Sequence, residues 1–405
     1  MYMIKTGDVA GEDYPYVEED RWAETLLISL PDSHRQYPPL DREPIGYDSA
    51  KRVHLVLFGR SQQVESLAMY AALVAHYPNY NRDNRLRTRI TIIDPEAEWI
   101  SNLFNQQYAQ LMQESFWRVV DLREPGNSRF HEPQYYQQRG DYVAVEWEFV
   151  VGDEYHPVVL DRLRRWSSDP RQLLTIALCM DSEEQNLSCA LNLPEEVYDN
   201  GVTVYLRGSG PSGGEGCRLG GRYNNVCLFG GEGMEPDDRG KALSALGMRV
   251  NYVYHCCYNY QMQVPIEMSQ QEMEKQWAAV PSLAKKYSSI FNAMTLTTKM
   301  RSLGHDEGDW NTFWCLTETE IMQLARVEHN RWCVEELLLG YRPPTDEELR
   351  QHTKRELKAR MIHTDLCRYD SLKADDTGQN VQAYDIALSR AIPLIVNSYA
   401  KGGEK

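Results

Sequence analysis

From Glu328 to Glu335 the chain reads Glu-His-Asn-Arg-Trp-Cys-Val-Glu, and on a helix these side chains divide between two adjacent faces. Spacings of three and four residues put Glu328, Trp332 and Glu335 on one face, and Ala325, His329 and Trp332 on the next. The indole of Trp332 is a platform on which a flat ring can stack, and His329 and Asn330 can read hydrogen-bonding edges beside it. Such a set suits recognition of a small molecule better than bond-breaking. Catalytic spacings are missing from the sequence: it has no HExxH, no GxSxG and no Cys-His pair in a recognisable context, so no catalytic residue is assigned. The competing reading is structural, with Trp332 and Tyr369 as core aromatics and His329 as a satisfied buried imidazole.

The element that must carry these side chains is well punctuated. Thr317 and Glu320 form a capping box that opens a helix, Gly340 supplies a left-handed turn at its end, and Arg342-Pro-Pro stops it. Thr345 and Glu348 form a second box. A last amphipathic helix is expected from about Val381 to Val396, bent at Pro393.

The first half has a different texture. Val53–Phe58, Arg89–Asp94, Glu146–Val151, Leu173–Cys179 and Val202–Arg207 are short apolar runs of the kind found in buried parallel strands, and Asn225–Phe229 is a candidate sixth. Helices are expected at about 64–75, 96–113 and 182–193. Strands alternating with helices define an α/β fold, a doubly wound parallel sheet, followed by a small mostly helical domain. The expected division is an arm or connector over 1–50, the sheet domain over 51–235 with a polar insertion near 116–142, a helical bridge over 236–316, and the helical domain over 317–400.

The turn after the first strand, Gly59-Arg-Ser-Gln-Gln-Val64, keeps one of the three glycines that a dinucleotide turn uses; Ser61 and Val64 take the other places. The glycine-rich stretch 208–221 is not followed by Lys-Ser/Thr and reads as a connector, not a phosphate-binding P-loop. Gly304-His-Asp-Glu-Gly-Asp309 gathers carboxylates beside one His and reads as an exposed acidic loop rather than a metal site.

A net charge of −16 argues against nucleic acid or an anionic membrane as a partner. Nine cysteines without a CxxC indicate neither a disulfide framework nor a zinc ribbon. No signal peptide is recognisable, and no apolar run approaches the ~20 residues of a membrane span. A cytoplasmic location is expected, with a membrane tether only through a partner or a segment preceding residue 1.

Two resemblances follow from these motifs. The order Gly59, Asp94 at the end of the second strand, Val151-Gly152-Asp153, the Asp-rich turn leading to Asn186-Leu187, and Val204–Arg207 resembles the TrkA-N (RCK) family, the Rossmann domains that regulate potassium channels and transporters. That likeness covers about residues 52–208. It implies NAD(H) or another adenine nucleotide held by Gly59, Arg60, Ser61, Asp94, Gly152, Asp153, Asn186 and Arg207, with Arg60 pairing directly with phosphate. The alternative is that Asp94 and Asp153 only cap helices. Residues 317–396, with His329 and Trp332 on the first helix, then Gly340-Tyr341, then Leu366-Cys-Arg-Tyr369-Asp-Ser-Leu372, resemble the Ryr domain named after ryanodine receptors; Arg368 stands where that family has Pro. This likeness implies a pocket for an adenine-nucleotide-like or other small ligand, walled by Trp332, Tyr341 and Tyr369. Glu328, His329 and Asn330 stand beside those walls, and Arg331, Arg342 or Arg368 would be available to phosphate.

Together the resemblances imply a nucleotide-sensing regulator, a homo-oligomer acting on an ion channel or transporter or within a nucleotide-signalling defence system. The rivals are an NAD-dependent oxidoreductase and a ligand-free assembly scaffold. No metal is expected.

Overall fold

The computed structural model describes residues 18–31, 37–133, 140–209, 218–231, 238–259, 262–305, 315–374 and 380–402. Eight strands form one sheet: β1 (Arg52–Phe58), β2 (Thr88–Asp94), β3 (Phe116–Asp121), β4 (Arg129–His131), β5 (Val145–Val151), β6 (Gln172–Leu178), β7 (Thr203–Arg207) and β8 (Val226–Phe229). Their spatial order is β4-β3-β5-β2-β1-β6-β7-β8. Every neighbouring pair is parallel except β3 and β4. Leaving out the β3–β4 edge, the order is that of a Rossmann-like sheet, whose direction of winding reverses on either side of β1.

The central strand shows why its sequence is apolar from Val53 to Phe58 apart from the buried His54. Val53, Leu55 and Leu57 enter one core, and Val56 and Phe58 enter a second core on the opposite face. Helices Gln62–Val74 and Ala97–Gln107 cover the first face, and helices Pro157–Ser168 and Glu183–Asn192 cover the second. With both faces buried, alternation in hydrophobicity disappears.

Several expectations need correcting. The stretch near 116–142 is not merely a polar insertion, because it contributes β3 and β4 and widens the sheet. Its polarity reflects a half-exposed edge: Trp117 and His131 face each other across the hairpin with rings stacked at 5.2 Å. The helix expected over 96–113 is broken at Tyr108, whose non-helical backbone (φ −118°, ψ 40°) separates Ala97–Gln107 from Ala109–Glu114.

The N-terminal segment is also more than a connector. Helix Glu18–Leu27 packs on helix Gln62–Val74, where Ser66 Oγ donates to Asp20 Oδ1 (2.7 Å) and Tyr70 Oη to Glu24 Oε1 (2.9 Å). A single core runs from Trp22 through the sheet and the helices of 238–302 to Val396, so all four segments of the chain share it.

The helix of central interest spans Glu318–Leu338, with the Thr317–Glu320 capping box formed and Gly340 at φ +93°. Beyond it, Gln382–Arg390 and Ile392–Gly402 are separate helices meeting at Ala391. Pro393 sits in the first turn of the second, where its missing N–H costs no helical bond. Among the described residues no helix is long and apolar enough to cross a membrane.

Candidate functional site

The carboxyl ends of the central strands enclose a cleft of about 280 Å³. Gly59 and Arg60 follow β1, Asp94, Pro95 and Glu96 end or follow β2, Gly152 and Glu154 follow β5, and Met180, Asp181 and Gln185 follow β6. This is the crevice at the point of reversal of strand order, where ligands of open α/β sheets bind.

Gly59 is required here by geometry. Its φ is +107°, and a Cβ would lie 2.8 Å from the Cys179 carbonyl oxygen and 2.9 Å from Met180 N. The strand ends are tied closely: Gly59 N donates to Ile93 O and Cys179 N to Phe58 O. The glycine therefore serves the approach of β1 to β6 before it serves any ligand.

Four of the residues singled out from sequence, Gly59, Arg60, Asp94 and Gly152, line the cleft. Asp94 Oδ1 accepts from Glu96 N at 2.7 Å, so the aspartate caps its own turn. Burial pushes its carboxyl upward, against the Glu96 hydrogen bond and the charge of Arg60. Asp153 turns aside to accept from Tyr155 N (2.9 Å). Ser61 Oγ donates to Cys179 O (2.7 Å) and is used up in fastening the turn.

Asn186 is fully engaged as well. Its Oδ1 accepts from Met180 N, and its Nδ2 donates to Met180 O and Arg207 O. It joins the β6 exit to the end of β7. Of the residues singled out from sequence, Ser61, Asp153, Asn186 and Arg207 do not line the cleft. Conversely, Glu96, Glu154, Asp181 and Gln185 line it, with Gln185 Nε2 donating to Glu154 Oε1 (2.8 Å). Their signal in the sequence was position alone: each lies within a few residues of a strand or helix boundary.

The second candidate region lies on helix Glu318–Leu338. His329, Trp332, Tyr341 and Tyr369 do come together. The His329 ring stacks on Trp332 (5.8 Å, 27°) and stands across Tyr369 (5.8 Å, 68°). His363 completes the group, perpendicular to both Trp332 (4.9 Å) and Tyr341 (5.9 Å). Tyr369 is buried, whereas Trp332, Tyr341 and His363 are half-buried.

Other members of that set have structural duties. Glu328 is buried with three bonds from Arg331 (2.7–3.0 Å) and one from Lys299 Nζ (2.6 Å), while Arg331 Nη1 also donates to Glu335 (2.6 Å). Asn330 Nδ2 donates to Asn81 Oδ1, Arg342 grips Glu348 with two bonds (2.6 and 2.9 Å), and Arg368 lies across Gly140. Glu328, Asn330, Arg331 and Arg342 are thus held by protein partners.

One arrangement resembles a thiol protease set. Cys333 Sγ lies 3.5 Å from His329 Nε2, and Asp385 Oδ2 lies 3.7 Å from His329 Nδ1. Yet Nε2 already donates to the Cys367 carbonyl (2.7 Å), and the thiol is wholly buried. Burial pushes Cys333 well above the ordinary thiol range and Asp385 well above the carboxylate range. A thiol without an accepting base is no nucleophile.

Among the described residues no group of three or more His, Cys, Asp or Glu is placed to hold a metal ion, and residues 306–309 of the acidic loop lie outside the described residues. No protein-family model, curated protein or solved structure matches the chain.

Proposed function

We propose that the chain is a regulatory module that senses a small nucleotide-like ligand in the cleft at the carboxyl ends of β1, β2, β5 and β6. The observation that carries this reading is the coincidence of the cleft with the reversal of strand order at β1. Asp94 is positioned to accept a ribose hydroxyl, and Arg60 makes no ion pair among the described residues that would withdraw it from a phosphate.

Charge narrows the ligand. Asp94, Glu96, Glu154 and Asp181 face a single guanidinium, Arg60, across the cleft. A pyrophosphate placed there would meet several like charges without the glycine-rich turn that normally offsets them. The cleft therefore favours nucleosides and monophosphates over NAD(H). Sensing is preferred to oxidoreduction on the same ground.

Calorimetry with adenosine, AMP, ATP, ADP-ribose, cyclic nucleotides and NAD(H) tests the reading. Saturable binding of one low-charge ligand, weakened at least tenfold by Asp94→Asn or Arg60→Ala, is the expected result. A folded protein that binds none of them overturns it and leaves the assembly scaffold.

A further inference from the structure

Trp332, Glu336, Tyr341 and His363 form a half-buried corner separate from the sheet cleft. We propose that this corner binds a small organic cation, an alkylated ammonium group. The inference is independent of the nucleotide reading.

Three aromatic rings meet at this corner. His363 stands at 78° to Trp332 and 74° to Tyr341, so its ring lies across both of the others. Aromatic faces attract a cation through their quadrupole, with a preference for Trp and a gain on desolvation. The histidine does not oppose this, because burial lowers its pKa to about 4 and leaves the ring neutral.

Glu336 supplies the matching charge. It follows Trp332 by one helical turn, and its field, after burial, is what raises the Tyr341 hydroxyl. Its carboxylate has no hydrogen-bond or ion-pair partner among the described residues, while its backbone carbonyl accepts from Tyr341 N. The charged groups around it are otherwise committed or solvated. Arg331 is held by Glu328 and Glu335. Asp365 faces Lys354 and His363 at 3.9 Å each, and Lys358 is exposed. Burial first, and Glu335 second, push the Glu336 carboxyl up to about 8. An incoming cation offsets that desolvation and displaces the proton.

The probes are tetramethylammonium and choline, titrated at pH 7 by calorimetry in two buffers of different ionisation enthalpy. The expected result is saturable binding accompanied by proton release, read as a heat that differs between the two buffers. Trp332→Ala and Glu336→Gln should each weaken it about tenfold. Glu336→Gln preserves shape and decides the matter if Trp332→Ala fails to fold. No saturation at tens of millimolar, or binding unchanged in Glu336→Gln, overturns the proposal.

Discussion

Arg301 Nη2 and Asp41 Oδ1 lie 2.7 Å apart, and Arg301 Nε and Asp41 Oδ2 lie 2.9 Å apart. This two-pronged pair is buried between the N-terminal segment and helix Leu296–Ser302. Removing one partner strands the other charge in the interior. Asp41→Asn should cost about 3–5 kcal/mol of unfolding free energy, whereas Asp41→Leu combined with Arg301→Met should cost much less. Urea denaturation of the three proteins measures both values. Equal stability of wild type and Asp41→Asn would mean that the N-terminal segment is not pinned as described.

That pair also marks where the sequence was readable and where it was not. β1, β2, β5, β6 and β7 were legible because burial on both faces makes them predominantly apolar, even where a buried His54, Thr91 or Glu148 interrupts the run. β3 and β4 were not, because Arg118, Arg129 and His131 belong to a half-exposed edge and look like loop residues. Gly59, Asp94 and Gly152 could be placed because each immediately follows or ends a strand. Glu154 and Asp181 reach the same cleft only through the order of strands in space, which local pattern does not encode. Glu328 looked available because helical spacing gives faces without saying which of them is covered; Lys299, which covers it, comes from another helix.

Glu328 supports a prediction about pH. Burial works to raise its carboxyl, but Arg331 and Lys299 outweigh it and hold the group at about 2, below the ordinary 4.5. The folded state therefore gains stability from ionised Glu328 above about pH 4.5, and this gain is lost as pH falls toward 2. Glu328→Gln should cost about 3–5 kcal/mol at pH 7 by leaving two cations underpaired. Its deficit relative to wild type should shrink below pH 4.5. A deficit that stays constant from pH 7 to pH 3 would contradict the ion network.

Gly59 and Gly201 offer a controlled comparison of two left-handed positions. Gly201 has φ +60° and open space where a Cβ would go, so Gly201→Ala should cost only about 1 kcal/mol of backbone strain. At Gly59 the added carbon would strike the backbone of Cys179 and Met180, which cannot move without parting β1 from β6. Gly59→Ala should cost at least about 3 kcal/mol and reduce ligand binding together with stability. Thermal melts of both variants decide this, and similar melting temperatures would show that the turn is softer than its contacts imply.

Glu336 gives the opposite pH dependence from Glu328. With its carboxyl pushed up to about 8 by burial and by Glu335, it remains protonated in the folded protein where the unfolded chain has already ionised. The contribution is therefore fully present below about pH 4.5 and is lost as pH rises through 8. Glu336→Gln removes the titration, so its stability relative to wild type should climb between pH 5 and pH 9. The side chain is half-buried, and solvent screening limits the difference to about 1–2 kcal/mol. Unfolding curves at pH 5, 7 and 9 provide the check: parallel stabilities for the two proteins would mean that Glu336 is already paired in the folded state, and the cation site would lose its electrostatic basis.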